Sequence, residues 1–545
     1  MKEPVKNRYL PAVIFVLVLA ALTSPIWCVP FFLGQDSSAH LYTAYVMLRL
    51  LDGDPQFSSV FMIQPVVVPN SSGHWIMALL VGLFTPETVT RVMLTGTLAL
   101  FAASVLWLKR RVTGSNGGVL TVLFAFAIGL NWLWLNGTYN HVLGAMVFLF
   151  AVGLFYRWRD DMGVARTAIL AVVLVIAYVS HLFAFLLLAG ALPLLAFFSV
   201  TRVRSLVAAT IAILPSIPML VGFRRVSSAE GVPPIPSWES VVDPYSVTDW
   251  LRQFVWADPF ILISRRTLPF LHVQSPWFLV LSPIVLISVA AGLLILRRGI
   301  GAHLKRLRTD RRLPLAIMCG GALIFAIIGP DDFGLQNGSL IRERLMIIGM
   351  SLAVVFFRPT RPYFTNLAAG GVLSLLMVLQ TMALWDYGLR TSKEVAPFAA
   401  AAGAIPHGKT MASVILAQET LRFRSLPLAQ VSSYEGVKTG SIVWDNYEWR
   451  HYMFPVVTRD ARLRPFVFEL TTANVFYLDD PADNFEEKLS RLEKVLESNN
   501  DQIDILLVYG SDDRMDRVVN RWYSDVPIFT DGELRVLMHK APADH

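Results

Sequence analysis

The sequence predicts a membrane protein, an all-α polytopic bundle of about 11 transmembrane helices followed by a C-terminal α/β domain. Three observations predict it. Of 545 residues, 54% are apolar and only 16% charged, with a mean hydropathy of +0.53, whereas a soluble globule draws about a quarter of its residues from the charged types. The apolar residues are gathered into runs long enough to cross a bilayer. After Arg390 the runs stop, and a stretch of mixed composition with the size of an ordinary domain follows.

Taken in order, the runs are 10–30, 89–108, 117–133, 141–156, 167–180, 182–199, 205–223, 276–296, 313–329, 345–357 and 363–385. The first follows Lys2, Lys6 and Arg8 as a secretion signal would, but its length and the lack of a small-x-small cleavage site make it an uncleaved anchor. The connections alternate in charge. Lys109, Arg110 and Arg111, then Arg157 with Arg159, Arg202 with Arg204, the run 297–312, and Arg358 with Arg361 all fall on one side, which the positive-inside rule makes cytoplasmic. The N-terminus is then cytoplasmic and the chain after Trp385 lies outside. The expected domains are 1–389, the bundle with outer loops 31–88, 224–275 and 330–344, and 390–545, a soluble extracytoplasmic unit. A plasma membrane of the bacterial inner-membrane type is the expected location. The net charge of +7 does not point to nucleic acid, because the basic residues form short clusters between apolar runs rather than one stripe. Cys28 and Cys319 fall within apolar runs and offer no disulfide framework.

Within the first outer loop, residues 73–84 are apolar but too short to span, so they are expected in the membrane interface. In the loop 224–275, Pro233, Pro234 and Pro236 break helices, while Trp238, Trp250 and Trp256, with Trp277 just beyond, suit the headgroup belt. Beyond residue 390, helix-like patterns at 484–498 and 512–523, a buried-strand pattern at 503–509, and a hairpin pattern at 526–530 and 534–539 make a small α/β unit. Asn70, Asn136 and Asn337 open Asn-x-Ser/Thr triplets, a pattern that also arises by chance.

Ionisable groups near membrane depth are costly, so the places where they gather are informative. His40, His74, His141, His181 and His272 lie on the expected outer side, with Asp36, Asp54, Asp331, Asp332 and Glu343 among the acids there. Asp36 sits just beyond the first span and has two readings, a helix N-cap or a catalytic acid. His40, four residues on, shares its helix face and reads as a hydrogen-bonded partner or as a base. His181 reads as a turn cap or as a functional group, and Asp54, His74, His141 and His181 are further cavity candidates. Arg342 and Arg344 can grip a phosphate bidentately or anchor anionic headgroups. Trp444, Tyr447, Trp449 and Tyr452 read as core or as a membrane dock. No P-loop, Gly-x-Ser-x-Gly elbow, His-Glu-x-x-His or paired Cys-x-x-Cys is present, so neither a metal nor a cofactor is expected.

The order of these segments carries a resemblance. Behind one basic-led span come Gly34-Gln-Asp-Ser-Ser-Ala-His-Leu41, Gly53-Asp-Pro55 and Gly73-His-Trp75. Asn136-Gly-Thr-Tyr-Asn-His-Val-Leu-Gly144, Ser180-His181 and Arg342-Glu-Arg-Leu345 at the head of a late span follow. Together they resemble the GT-C superfamily of integral-membrane glycosyltransferases, which includes the protein mannosyltransferases and the lipid A aminoarabinose transferases. The resemblance implies that Asp36 is the first-loop acid that activates the acceptor and that Arg342 and Arg344 bind the donor phosphate. Asp54 would stand for a second loop acid, and Trp444, Tyr447, Trp449 and Tyr452 of the outer domain would form a platform that helps place the acceptor. The lone Asp36 departs from the paired Asp-x-Asp of metal-dependent members.

The implied partners are a sugar donor on polyprenyl phosphate, a glycan, lipid or protein acceptor, and membrane lipid. Direct attack at the anomeric carbon inverts its configuration. Two other readings stand beside this one. A transporter or flippase for a lipid-linked saccharide requires broken helices at mid-membrane, for which Pro193, Pro215 and Pro218 leave an opening. A catalytically silent assembly subunit would use the same architecture only to bind.

Overall fold

Apolar runs fold as helices in a bilayer because no water is present there to satisfy backbone N–H and C=O groups. The computed structural model describes residues 9–115, 117–229, 260, 311–333, 338–357, 363–417, 425–477 and 484–540. The expected span 276–296, nearly all of the loop 224–275 beyond residue 229, the basic run 297–310, Arg358, Arg361 and Asn337 lie outside the described residues.

Among the described residues, four helices are long and apolar enough to cross a membrane. They are α1 (Leu10–Cys28), the hydrophobic part of α5 (Pro86–Thr113), α8 (Tyr139–Trp158) and α15 (Tyr363–Ala401). A fifth span forms if α11 (Arg202–Ile213) and α12 (Ser216–Ala229), bent by 43° at their break, are taken together. The other expected spans are shorter helices. These are α6 (Val119–Gly129), α9 (Val164–Ser180), α10 (Leu182–Phe197), α13 (Leu313–Ile328) and α14 (Ile341–Ala353). At about 1.5 Å per residue, helices of this length fall short of a hydrocarbon core about 30 Å thick. A count of 11 is therefore not reached among the described residues.

The chain divides into two units. The first holds residues 1–25, 95–134 and 139–384. Within it α8, α9, α10 and α11 pack on one another, and α13 packs along α14. Gly349 permits that last approach, since a Cβ there would lie 2.8 Å from Leu323 Cδ2. Two of the basic connections meet in this unit. Arg159, buried, donates to the Arg311 carbonyl at 2.9 Å, Asp160 pairs with the Arg311 guanidinium, and the Arg159 carbonyl accepts from Ser199 at 2.9 Å.

The second unit holds residues 26–94, 135–138 and 385–545. Its sheet places β2 (Thr410–Ala417) parallel to β3 (Ile442–Val443), β5 (Val475–Tyr477) and β6 (Ile505–Tyr509), with β8 (Leu534–Met538) antiparallel to both β6 and β7 (Phe529–Asp531). Helices α16 (Val431–Thr439), α17 (Leu463–Ala473), α18 (Phe485–Asn499) and α19 (Asp513–Val519) complete that part. This division differs from the expected boundary at residue 389, because the loop 31–88 joins the C-terminal part. The loop contributes α2 (Ser37–Leu51), α3 (Pro55–Val60), β1 (Phe61–Ile63) and α4 (Ser72–Val81). β1 pairs antiparallel with β4 (Val456–Thr458), and α2 packs on α16. Trp444, Trp449 and Tyr452 are buried here, which gives these three the core role rather than a surface one.

Helix α4 buries Gly73, His74, Met77 and Ala78 on one side and exposes Trp75, Ile76 and Leu79 on the other. An apolar face turned outward on a helix too short to span suits the interface.

One buried acid of this unit sets a pH dependence. Glu435 on α16 is buried, with neither carboxylate oxygen hydrogen-bonded among the described residues. Burial pushes its pKa up, Lys438 offsets this in part and Glu87 reinforces it, to about 8. An acid raised in the folded chain keeps its proton at a pH where the unfolded chain has lost it, so stability falls as pH rises between the two values. No penalty applies below the unfolded value near 4.3, and the full penalty is present above about 8. Thermal midpoints of the wild type should therefore decline between weakly acidic and weakly alkaline buffer, and Glu435→Gln should flatten the decline. Parallel profiles for the two proteins would assign the dependence elsewhere.

Candidate functional site

Two groups of the expected site residues assemble, one inside each unit. In the second unit, the seat of Asp36 is built from the close approach of residues 135–138 to the start of α2. Gly137 has a φ of +92°, and a Cβ on it would lie 2.8 Å from the Ser37 backbone nitrogen. Only glycine meets both conditions. The approach lets the Asn136 carbonyl accept from the Asp36 N–H at 2.8 Å, while Asn136 Nδ2 donates to Asp36 Oδ2 at 3.0 Å. Asp36 occupies the N-cap position of α2, yet its side chain makes no capping hydrogen bond. Capping therefore does not account for this half-buried carboxylate. Asn136 is buried with its amide on Asp36, which gives its triplet a structural role.

One turn along α2, His40 does not pair with Asp36 as its main partner. Its Nδ1 contacts Glu448 Oε1 and lies 3.2 Å from His74 Nε2. His74 Nε2 in turn lies 3.0 and 3.1 Å from the two oxygens of Glu448, and the Thr43 hydroxyl donates to Glu448 Oε2. All three ionisable residues are buried. Burial lowers the His40 pKa, but the Glu448 carboxylate outweighs it and the net shift is upward, with Asp36 the smallest contributor. For Glu448, burial pushes up and the two imidazoles pull down, leaving the carboxyl well below its usual range.

Asp54 has a local role. Its side chain caps α3, accepting from Gln56 N–H at 2.9 Å and Phe57 N–H at 3.4 Å, and it pairs with Arg49. Burial is the largest single influence and raises its pKa, but the Arg49 guanidinium and the two backbone N–H donors together outweigh it and leave the carboxyl below its usual value. A cap and an ion pair thus account for the residue that stood for a second loop acid.

In the first unit, His141 and His181 face each other edge to face with ring centroids 5.2 Å apart. The packing of α10 on α8 brings them together. A Cβ on Gly144 would lie 2.8 Å from the His181 Cβ and 2.9 Å from that of Ala184, so the helices approach at a glycine. His181 caps α10, its Nδ1 accepting from the Phe183 N–H at 3.2 Å. Arg344 is close enough for its charge to act on both rings. Arg342 is buried, with Nε donating to the Ala326 carbonyl at 3.4 Å. Both arginines lie in the first turn of α14, directly after Leu340, a non-glycine residue held at φ +57°. An apolar cavity of about 370 Å³ lies between α8, α10, α13 and α14, lined by Phe148, Phe183, Leu187 and Phe325 and by Ile341 and Leu345, which bracket the arginines in sequence.

Of the expected site residues, the structure thus brings together His40 with His74, and His141 with His181 and Arg344. Sequence reasoning missed Glu448, Asn136 and Thr43. Glu448 lies inside the noted aromatic run 444–452 without a motif of its own, and Asn136 was noted only as the start of an Asn-x-Ser/Thr triplet and within a quoted segment.

Among solved structures, ArnT from Cupriavidus metallidurans in the apo state aligns with this chain at 13% identity and a TM-score of 0.42, covering 96% of this chain and 97% of that one. At that identity and score the likeness carries no argument about chemistry. No family model and no curated protein matches the chain.

Proposed function

We propose that the protein is a membrane glycosyltransferase of the GT-C kind, which moves a sugar from polyprenyl phosphate to an acceptor hydroxyl at the outer membrane face. In this reading the N-terminus is cytoplasmic and the C-terminal domain is extracytoplasmic. Arg342 and Arg344 stabilise charge on the departing phosphate, and Asp36 takes the acceptor proton as general base while the anomeric carbon inverts. The observation that supports it most is that the apolar cavity reaches the first turn of α14, where Ile341 and Leu345 line it and Arg342 and Arg344 lie between them in sequence. A long hydrocarbon chain with an anionic head fits that arrangement, since a helix N-terminus and guanidinium groups both favour a phosphate. His141 and His181, near Arg344, are suited to hydrogen-bond the donor. For Asp36 the support is a carboxylate fixed by an amide rather than spent on a cap.

The test is transfer from radiolabelled polyprenyl-phosphate sugars by purified protein, wild type against Asp36→Asn. The amide keeps the shape and removes the base, so transfer should fall about 10²- to 10⁴-fold with the fold intact. Unaltered transfer would remove Asp36 from the role. The bend between α11 and α12, at Leu214 and Pro215, favours a second reading as a carrier of lipid-linked saccharide. In vesicles a carrier would move the intact donor across the bilayer and leave its glycosyl bond unbroken.

A further inference from the structure

We propose that His40, His74 and Glu448 form a binding site for a divalent transition-metal ion, zinc by preference, which fastens the first outer loop to the C-terminal part of the second unit. The proposal does not rest on the glycosyltransferase reading. Each residue offers one ligand atom, and the three atoms lie within 4.8 Å of one another. Two of the separations, 3.2 Å from His40 Nδ1 to His74 Nε2 and 3.0 Å from His74 Nε2 to Glu448 Oε1, can be compared with ligand spacing around an ion. Bonds of about 2.0 Å arranged tetrahedrally place neighbouring ligand atoms about 3.3 Å apart.

The surroundings strengthen the case. His74 Nδ1 lies 3.0 Å from the Asn70 carbonyl oxygen, which can only accept, so the proton is on Nδ1. In the neutral ring that leaves a lone pair on Nε2, directed at two carboxylate oxygens and another imidazole nitrogen. Acceptors facing acceptors repel unless a cation or a second ring proton lies between them. A backbone carbonyl behind the histidine and a hydroxyl on the carboxylate, here Asn70 and Thr43, are the outer partners that orient ligands toward a metal. Asn70 itself is held at φ +59°, a left-handed conformation that asparagine tolerates better than most residues. Two imidazoles and one carboxylate suit zinc, whereas magnesium and calcium call for sets richer in oxygen.

The sequence alone could not reveal such a site, because Glu448 stands 408 residues from His40 and no short spacing links them. The competing account is a proton, with doubly protonated His74 paired to Glu448. The experiment uses the full chain, purified in detergent, stripped with chelator and reloaded with zinc or with cobalt(II) alone. Elemental analysis should return about one zinc per chain, as a single four-coordinate site takes. Reloading should raise the thermal midpoint, and cobalt should give the intense visible bands of a tetrahedral, nitrogen-ligated ion. Glu448→Gln and His74→Ala should each abolish both signals, while His539→Gln, a residue hydrogen-bonded to Asn500 at 2.7 Å, should keep them. The cobalt spectrum of the wild type decides the matter even where a variant fails to fold. A folded wild-type chain that takes up no metal, or a metal signal that survives both ligand substitutions, would overturn the proposal.

Discussion

Replacing Gly137 with alanine is expected to lower the thermal midpoint sharply and to cost on the order of 2–5 kcal/mol. Two penalties combine there. An L-residue held at positive φ costs about 1–2 kcal/mol, and forcing an extra methyl into a packed site adds about 1–3 kcal/mol. The new Cβ would lie 2.8 Å from the Ser37 nitrogen and 2.5 Å from its Oγ, both at the first turn of α2. Relief requires residues 135–138 to withdraw, and with them the Asn136 carbonyl and amide that hold Asp36. Transfer activity, where Asp36 serves as base, should then fall together with stability. A Gly137→Ala protein with an unchanged midpoint would mean that this approach is not made.

Trp449→Ala is expected to be among the costliest truncations of a single side chain, about 3–5 kcal/mol, as for large aromatics removed from a core. The indole is only 1% exposed, lies 4.6 Å from the Phe61 ring and 5.9 Å from Tyr42, and donates to the Val443 carbonyl at 2.8 Å. Alanine leaves a cavity beneath β1 and an unsatisfied carbonyl at β3. Trp449→Phe should lose much less, because it keeps most of the volume and forfeits chiefly the hydrogen bond. Chemical or thermal unfolding of the three proteins measures both steps. Trp449→Ala within about 1 kcal/mol of wild type, with transfer lost, would return the residue to the acceptor platform that its sequence context also allows.

These two sites differ in how far the sequence announced them. The described helices of the first unit were legible as helices from apolar run length, although several are too short to cross a bilayer alone. The hairpin of β7 and β8, around Asp531 and Gly532, was legible from its alternation and turn residues, and α18 from its helical periodicity. Local signals of that kind report only on neighbours along the chain. The pairing of β1 with β4 joins two strands of three residues each, too short to stand out. The bond between Asp36 and Asn136 spans 100 residues, and Glu448 meets His74 across 374. Asp36 and His40 were visible as residue types in a suggestive place, but their partners were set by tertiary packing. That packing gave His40 to Glu448, whereas Asp54 went to a helix cap and an ion pair within its own stretch of chain.

The pairing of Phe61 with Thr458 bears on biosynthesis. At about 5–20 residues per second, a ribosome needs about 20 seconds or more to travel from one to the other. During that interval the loop 31–88 is complete but has no strand to pair with and no indole to cover its Phe61. A nascent chain stalled anywhere in between exposes an orphan edge and a half-made interior, the sort of surface that chaperones and proteases recognise. Trimming the chain from its far end would therefore not yield a tidy membrane fragment. It would strand a loop translated long before the cut.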